Sequence, residues 1–262
     1  MIFRQLLDPE TSTWTYLLGD EDSHETVLID PVHEQVERDR TLLEELGLRL
    51  VATLETHVHA DHVTGGGLLR EALGSRTVVG AQTGVENADL ALADGETFRF
   101  GGIELEARAT PGHTAGCTTW VCHAGHMAFT GDTLLVRGCG RTDFQQGDAR
   151  QLYASVRERI FTLPDDTYLY PGHDYRGRTV TTVAEEKAFN PRLGLARDLD
   201  AFVAIMAGLD LAYPKRIDVA VPANLLSGRI EEPALDAARP VADAMDRLGR
   251  QDSAENWQGM GI

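Results

Sequence analysis

The chain has 262 residues, with 41 Asp and Glu against 24 Lys and Arg and a formal net charge of -17. A surface this negative repels phosphate backbones, which argues against nucleic acid or an anionic membrane as a partner. No run approaches the roughly 20 apolar residues that cross a bilayer, and the start MIFRQLLDPETSTW lacks the basic and apolar parts of a secretory signal, so the expectation is a soluble cytoplasmic protein. Three cysteines, Cys117, Cys122 and Cys139, form no CxxC pair. They read as reduced thiols rather than a disulfide framework or a zinc knuckle.

In chain order, Tyr16-Leu17-Leu18-Gly19 and Thr26-Val27-Leu28-Ile29 read as paired strands closed at Asp30-Pro31. Residues 34–46 place Val36, Leu42, Leu43 and Leu46 at helical spacing, with Gly47 as the stop signal. Residues 48–54 are apolar and β-branched enough for a buried strand that runs into His57. Gly65-Gly66-Gly67 opens a second helix, and Thr77-Val78-Val79 returns as a strand. Residues 97–109 and 118–129 each read as a hairpin. Helices are expected over 148–160, near 179–189 and over 198–207, with a short strand at Tyr168-Leu169-Tyr170. There is no internal repeat. The expectation is one domain over 1–262 of α+β class, sheets flanked by helices, with a polar extension from about residue 230.

His57 and His59 lie two apart at a strand end, so their imidazoles point to one side, and Asp61 and His62 follow on the turn. His113 in TPGHT, Asp132 in TGDT and His173 in YPGHD each follow an apolar strand and a glycine, the arrangement by which a scaffold gathers functional loops at one edge. His24, His33, His123 and His126 lack that context and read as surface residues. Imidazoles with a hard carboxylate suit zinc or iron. Seven candidate ligands suffice for two metals, and ligand counting alone favours a dinuclear zinc hydrolase with a metal-activated hydroxide.

THVHADH at 56–62, followed in order by PGHT, TGDT and PGH, resembles the metallo-β-lactamase superfamily. That resemblance implies an αββα sandwich with the metal site at one edge of two sheets. Within the superfamily, glyoxalase II carries GCGR followed by an aromatic FEG segment, whereas residues 138–148 here read GCGRTDFQQGD. This version is similar to the persulfide dioxygenase family, and the likeness extends to HDY at 173–175, EEKAFNP at 185–191 and IDVAVPAN at 217–224.

The resemblance implies a mononuclear iron(II) enzyme, one Fe(2+) per chain, that oxidises glutathione persulfide with O2 to sulfite and glutathione, and it suggests a homodimer. The implied iron ligands fall on His57, His113 and Asp132. His59, Asp61, His62 and His173 become supporting residues or a second metal site. A glyoxalase II-like dinuclear thioesterase is the alternative, and a non-catalytic sulfur sensor stands further off. Arg141, with Asp143, is the candidate anchor for a substrate carboxylate or anionic sulfur; its alternative is a turn arginine paired with Asp143. Tyr175 is placed near the open metal positions, or else simply packs. Asp174 reads as a hydrogen-bond acceptor and Cys139 as a spectator thiol.

Overall fold

The computed structural model describes residues 1–229. Strands β1 (Ile2–Asp8), β2 (Thr13–Gly19), β3 (Glu25–Ile29), β4 (Arg49–Leu54), β5 (Arg76–Gly80) and β6 (Leu90–Leu92) form the first sheet in that order. The first three pair antiparallel and the rest parallel. Parallel neighbours need a crossover. It is supplied by α1 (Val36–Glu45) between β3 and β4 and by α2 (Gly66–Leu73) between β4 and β5.

The second sheet consists of β7 (Thr97–Phe100), β8 (Ile103–Ala109), β9 (Thr118–Cys122), β10 (Met127–Gly131), β11 (Tyr168–Pro171) and β12 (Thr181–Thr182), again in sequence order across the sheet. Only β10 and β11 run parallel. Their crossover carries α3 (Ala149–Ser155), which widens into a π-turn at Val156–Ile160. Beyond β12 lie α4 (Val183–Phe189), α5 (Leu199–Ala207) and α6 (Ile217–Leu225).

Strand alternation sorts the core into three apolar layers. Tyr16, Leu18, Val27, Ile29, Ala52 and Leu54 of the first sheet meet Leu105, Trp120, Phe129 and Tyr170 of the second. The intervening residues Leu17, Leu28 and Leu50 face α1 and α2 through Val36, Leu43 and Leu69. Val121, Ala128 and Leu169 face Leu152, Val156 and Phe202 on the other side. Because both faces of these strands are covered, the sequence shows apolar runs rather than alternation. The αββα sandwich is therefore the fold, and it lies within Met1–Gly228. The polar extension expected from about residue 230 lies outside the described residues.

Five elements differ from expectation: the strands β1, β6 and β12 and the helices α4 and α6. β1, an edge strand, carries Arg4 and Gln5 in its centre and shows no clean apolar pattern. The helix expected near 179–189 begins only at Val183, because Thr182 is extended and its side chain accepts the Glu185 N–H as a cap. α6 is a helix with Pro222 inside it and β-branched residues before it, which erases the helical signal.

Candidate metal centre

The donors sit where strands end. β3 delivers Asp30, β4 delivers His57 and His59, β8 His113, β10 Asp132 and β11 His173. Two glycines make the approach possible. Gly131 has φ +51, and a Cβ there would lie 2.5 Å from Thr56 Oγ1. At Gly140 a Cβ would lie 2.7 Å from His113 Nδ1 and 2.8 Å from the Asp132 carbonyl oxygen.

His57, His113 and Asp132 bring one ligand atom each within 4.8 Å of one another. Hydrogen-bond partners decide which atoms remain free. The Thr56 hydroxyl donates to Asp30 Oδ2 at 2.7 Å, so its oxygen accepts from His57 Nδ1 at 3.0 Å and leaves Nε2 without a proton. His113 Nδ1 faces the Arg141 carbonyl oxygen at 2.7 Å; that oxygen can only accept, so Nε2 is again the free atom. His173 Nδ1 holds Asp132 Oδ1 at 2.7 Å, and Asp132 Oδ2 lies 3.7 Å from His113 Nε2. Two imidazole nitrogens and one carboxylate oxygen thus converge with lone pairs available. Burial holds His57 well below the ordinary imidazole pKa, with the neighbouring His59 and His113 acting in the same direction. At Asp132 burial pushes the other way, but His173, His113 and His57 outweigh it and hold the carboxyl well below the usual carboxylate range. Both groups are in the form that binds a cation.

His59, Asp61, His62 and His173 form a second group within 4.8 Å. Much of their hydrogen bonding is among themselves. Asp61 Oδ2 lies 3.0 Å from His173 Nε2 and 2.9 Å from His62 Nδ1. Thr13 Oγ1 stands between them, 3.1 Å from His173 Nε2 and 3.2 Å from Asp61 Oδ2. Its position at the start of β2 gave no sequence signal. A third group, Asp30, Glu55 and His59, lies deeper.

Arg141 is engaged with its own loop. Its Nε and Nη2 grip Asp143 at 2.6 and 2.7 Å, and Nη1 and Nη2 donate to the carbonyls of Ala212 and Leu211. The guanidinium fork faces Asp143 and stacks 4.5 Å from the Phe144 ring centroid. What Arg141 gives the centre is its carbonyl. Tyr175 is 73% exposed, its ring parallel to that of His173 with centroids 6.2 Å apart. Asp174 accepts from the backbone N–H of Arg176 and Arg178, as expected. Cys139 is buried, and burial pushes its thiol up to about 11, the state of a spectator. His24, His123 and His126 are exposed and His33 is half-buried, all away from the cluster.

Sequence reading assigned no role to Asn224 of α6 or to Gln145. The Asn224 amide bonds to the backbone of His59, His62 and Thr64, and the Gln145 amide to the Val58 carbonyl. Both lie inside segments that carried the family likeness, which was the available signal.

The sandwich and its strand-end donors are those of a scaffold built to hold metal ions, and the model of the metallo-beta-lactamase superfamily matches residues 8–173. Human mitochondrial persulfide dioxygenase ETHE1 is 56% identical over 229 residues, covering 87% of this chain and 89% of that protein. The crystal structure of ETHE1 from Myxococcus xanthus superposes with a TM-score of 0.85 at 51% identity, covering 87% of this chain and 100% of that one. A probable hydroxyacylglutathione hydrolase of Schizosaccharomyces pombe is more distant, 35% identical over 168 residues that span 62% of this chain and 64% of that protein. The chain belongs to the persulfide dioxygenase family of the metallo-β-lactamase superfamily and is an enzyme of the oxidoreductase class.

Proposed function

We propose that the protein is an iron(II)-dependent dioxygenase acting on glutathione persulfide. One persulfide, one O2 and one water give glutathione, sulfite and two protons. The observation that carries this reading is the set of three free donor atoms, His57 Nε2, His113 Nε2 and Asp132 Oδ2, each fixed by a partner on its other side. Two histidines and a carboxylate on one face suit a single non-haem iron(II). Bound there, the iron supplies open positions for O2 and for the soft outer sulfur of the persulfide.

The chain's own groups orient that face. Thr56 and Asp30 fix the His57 ring, the Arg141 carbonyl fixes His113, and His173 fixes Asp132. Such supporting bonds raise ligand basicity and hold ring orientation. Tyr175, exposed beside His173, is our choice for contact with the substrate. Arg141 and Asp143 act as a pair that shapes the wall rather than as an open anchor. Three buried, unpaired thiols are in keeping with a reducing compartment and with the cytoplasmic location we propose. Homodimeric assembly is carried by the family likeness. Among the described residues no helix is long and apolar enough to cross a membrane.

The second donor group favours one competing reading, a dinuclear thioesterase. Metal analysis and O2 uptake separate the two. Near one iron per chain with persulfide-dependent O2 consumption is expected; two zincs and hydrolysis of an acylglutathione thioester without O2 would overturn the proposal. Asp132→Ala is expected to lose both iron and activity, and retained O2 uptake in that variant would refute the ligand assignment.

A further inference from the structure

Residues 56–64 run as irregular backbone between β4 and α2. A buried loop has no ladder to satisfy its carbonyls, so each needs a partner from elsewhere. The Thr56 carbonyl takes the Thr118 N–H at 2.8 Å and that of Val63 takes the His33 N–H at 2.9 Å. The stretch between them, which contains His57 of the proposed metal site and His59, Asp61 and His62 of the second group, is held by side chains.

Gln145 Nε2 donates to the Val58 carbonyl at 2.7 Å. Asn224 Nδ2 donates to the carbonyls of His59 and His62 at 2.9 and 2.8 Å, and its Oδ1 accepts the Thr64 N–H at 2.8 Å. With two carbonyls and one N–H facing it, the Asn224 amide fits in a single orientation, with both donors and its acceptor used. Asn224 is 4% exposed. Gln145 and Gln146 are consecutive non-glycine residues at φ +47 and +56, a left-handed path that L residues seldom take and that turns the Gln145 side chain onto the loop.

We propose that Gln145 and Asn224 are positioning residues of the metal centre, two amide clamps that hold the backbone directly after His57, from Val58 to Thr64, and so set how tightly the centre retains its cation. The residue type follows from the task. An amide donates to carbonyls at any pH and brings no charge near the cation. A lysine would add a repelling charge, and a carboxylate would lack the donors and compete as a ligand. The same proposal assigns a task to the QQ of GCGRTDFQQGD and to the final residue of IDVAVPAN.

The inference rests on the three-residue metal site proposed above. Its test uses Co(II) as probe, which needs neither persulfide nor O2, so a failed O2-uptake assay would remove the dioxygenase reading and leave this result standing. Asn224→Asp keeps the acceptor and the shape but loses the donors; Gln145→Ala removes the other clamp from a partly exposed segment. We would measure Co(II) affinity by competition with a chromophoric chelator, the ligand-field spectrum of the loaded protein, and apo-protein melting. Each variant is expected to bind Co(II) about 10- to 100-fold more weakly, the usual cost of losing an outer-shell partner, with an altered spectrum. Lower melting temperatures with affinity and spectrum unchanged would overturn the proposal, because that is what a merely structural role predicts. Should Asn224→Asp fail to fold, Gln145→Ala decides between the same two outcomes.

Discussion

At the scale of single residues, the centre is organised by what stands behind each donor. His113 has Nε2 free because the Arg141 carbonyl occupies Nδ1 at 2.7 Å, and that carbonyl reaches it because Gly140 has no side chain in the way. Gly140 also donates its N–H to the Asp132 carbonyl oxygen at 2.7 Å, so one small residue serves two of the proposed donors. Gly140→Ala would press a methyl against His113 and Asp132 together. We expect a folded protein whose iron affinity falls on the order of 10-fold or more, as for other outer-shell losses. Iron content after dialysis against a chelator checks this; full retention would show that the loop moves aside without cost.

At the scale of elements, α4 anchors the segment that carries Gly140 and Arg141. Glu186 is fully buried and accepts from the Arg137 backbone N–H at 3.0 Å, from the Arg137 guanidinium, and from Thr181 and Asn190 at 2.8 Å each. Asn190 in turn donates to the Gly138 carbonyl at 3.1 Å. Arg137 itself has φ +59, a conformation held by this network. Replacing Glu186 by Gln takes the buried carboxylate from a half-buried guanidinium that keeps only Glu185 at 3.4 Å and the Thr181 hydroxyl, which costs about 1–3 kcal/mol. Chemical denaturation of the apo-protein should show a loss of that size. A change below about 0.5 kcal/mol, the range of ordinary surface substitutions, would mean that α4 is not the anchor.

At the scale of the whole molecule, the inner layer of aromatic and aliphatic side chains stabilises both sheets at once, while a few polar groups work against folding. Asp39 of α1 is fully buried, and burial pushes its carboxyl up to about 6 from 3.8, against the pull of Arg38. The unfolded chain releases this proton near 3.8 and the folded chain near 6. Between those values the folded state holds the extra proton, so stability falls as pH rises through the window and is not regained above it. A shift of about two units corresponds to roughly 3 kcal/mol at neutral pH. Asp39→Asn should flatten the stability profile between about pH 4 and 6, at the ends set by the two values given, and leave the acid side unchanged. An identical pH profile in the variant would refute the assignment.

Much of this was legible in the chain itself. Apolar runs bounded by turn residues located nine of the twelve strands among the described residues, β1, β6 and β12 being missed, because a buried strand must be apolar whatever it packs against. The candidate donors stood out because glycine and a titratable group after a strand is a costly combination unless used. β1 and the two-residue β12 at the sheet edges carried too little pattern, and α6 hid behind Pro222. Local sequence thus determined the layers and singled out the donor residues that meet at the strand ends, since both depend on side-chain chemistry at short range. Only the tertiary structure decided that Arg141 serves through its carbonyl, that Thr13 stands among the second donors, and that Asn224 reaches back 160 residues to Thr64. Those roles are hydrogen bonds between residues far apart in sequence, and no local pattern encodes which distant groups will meet.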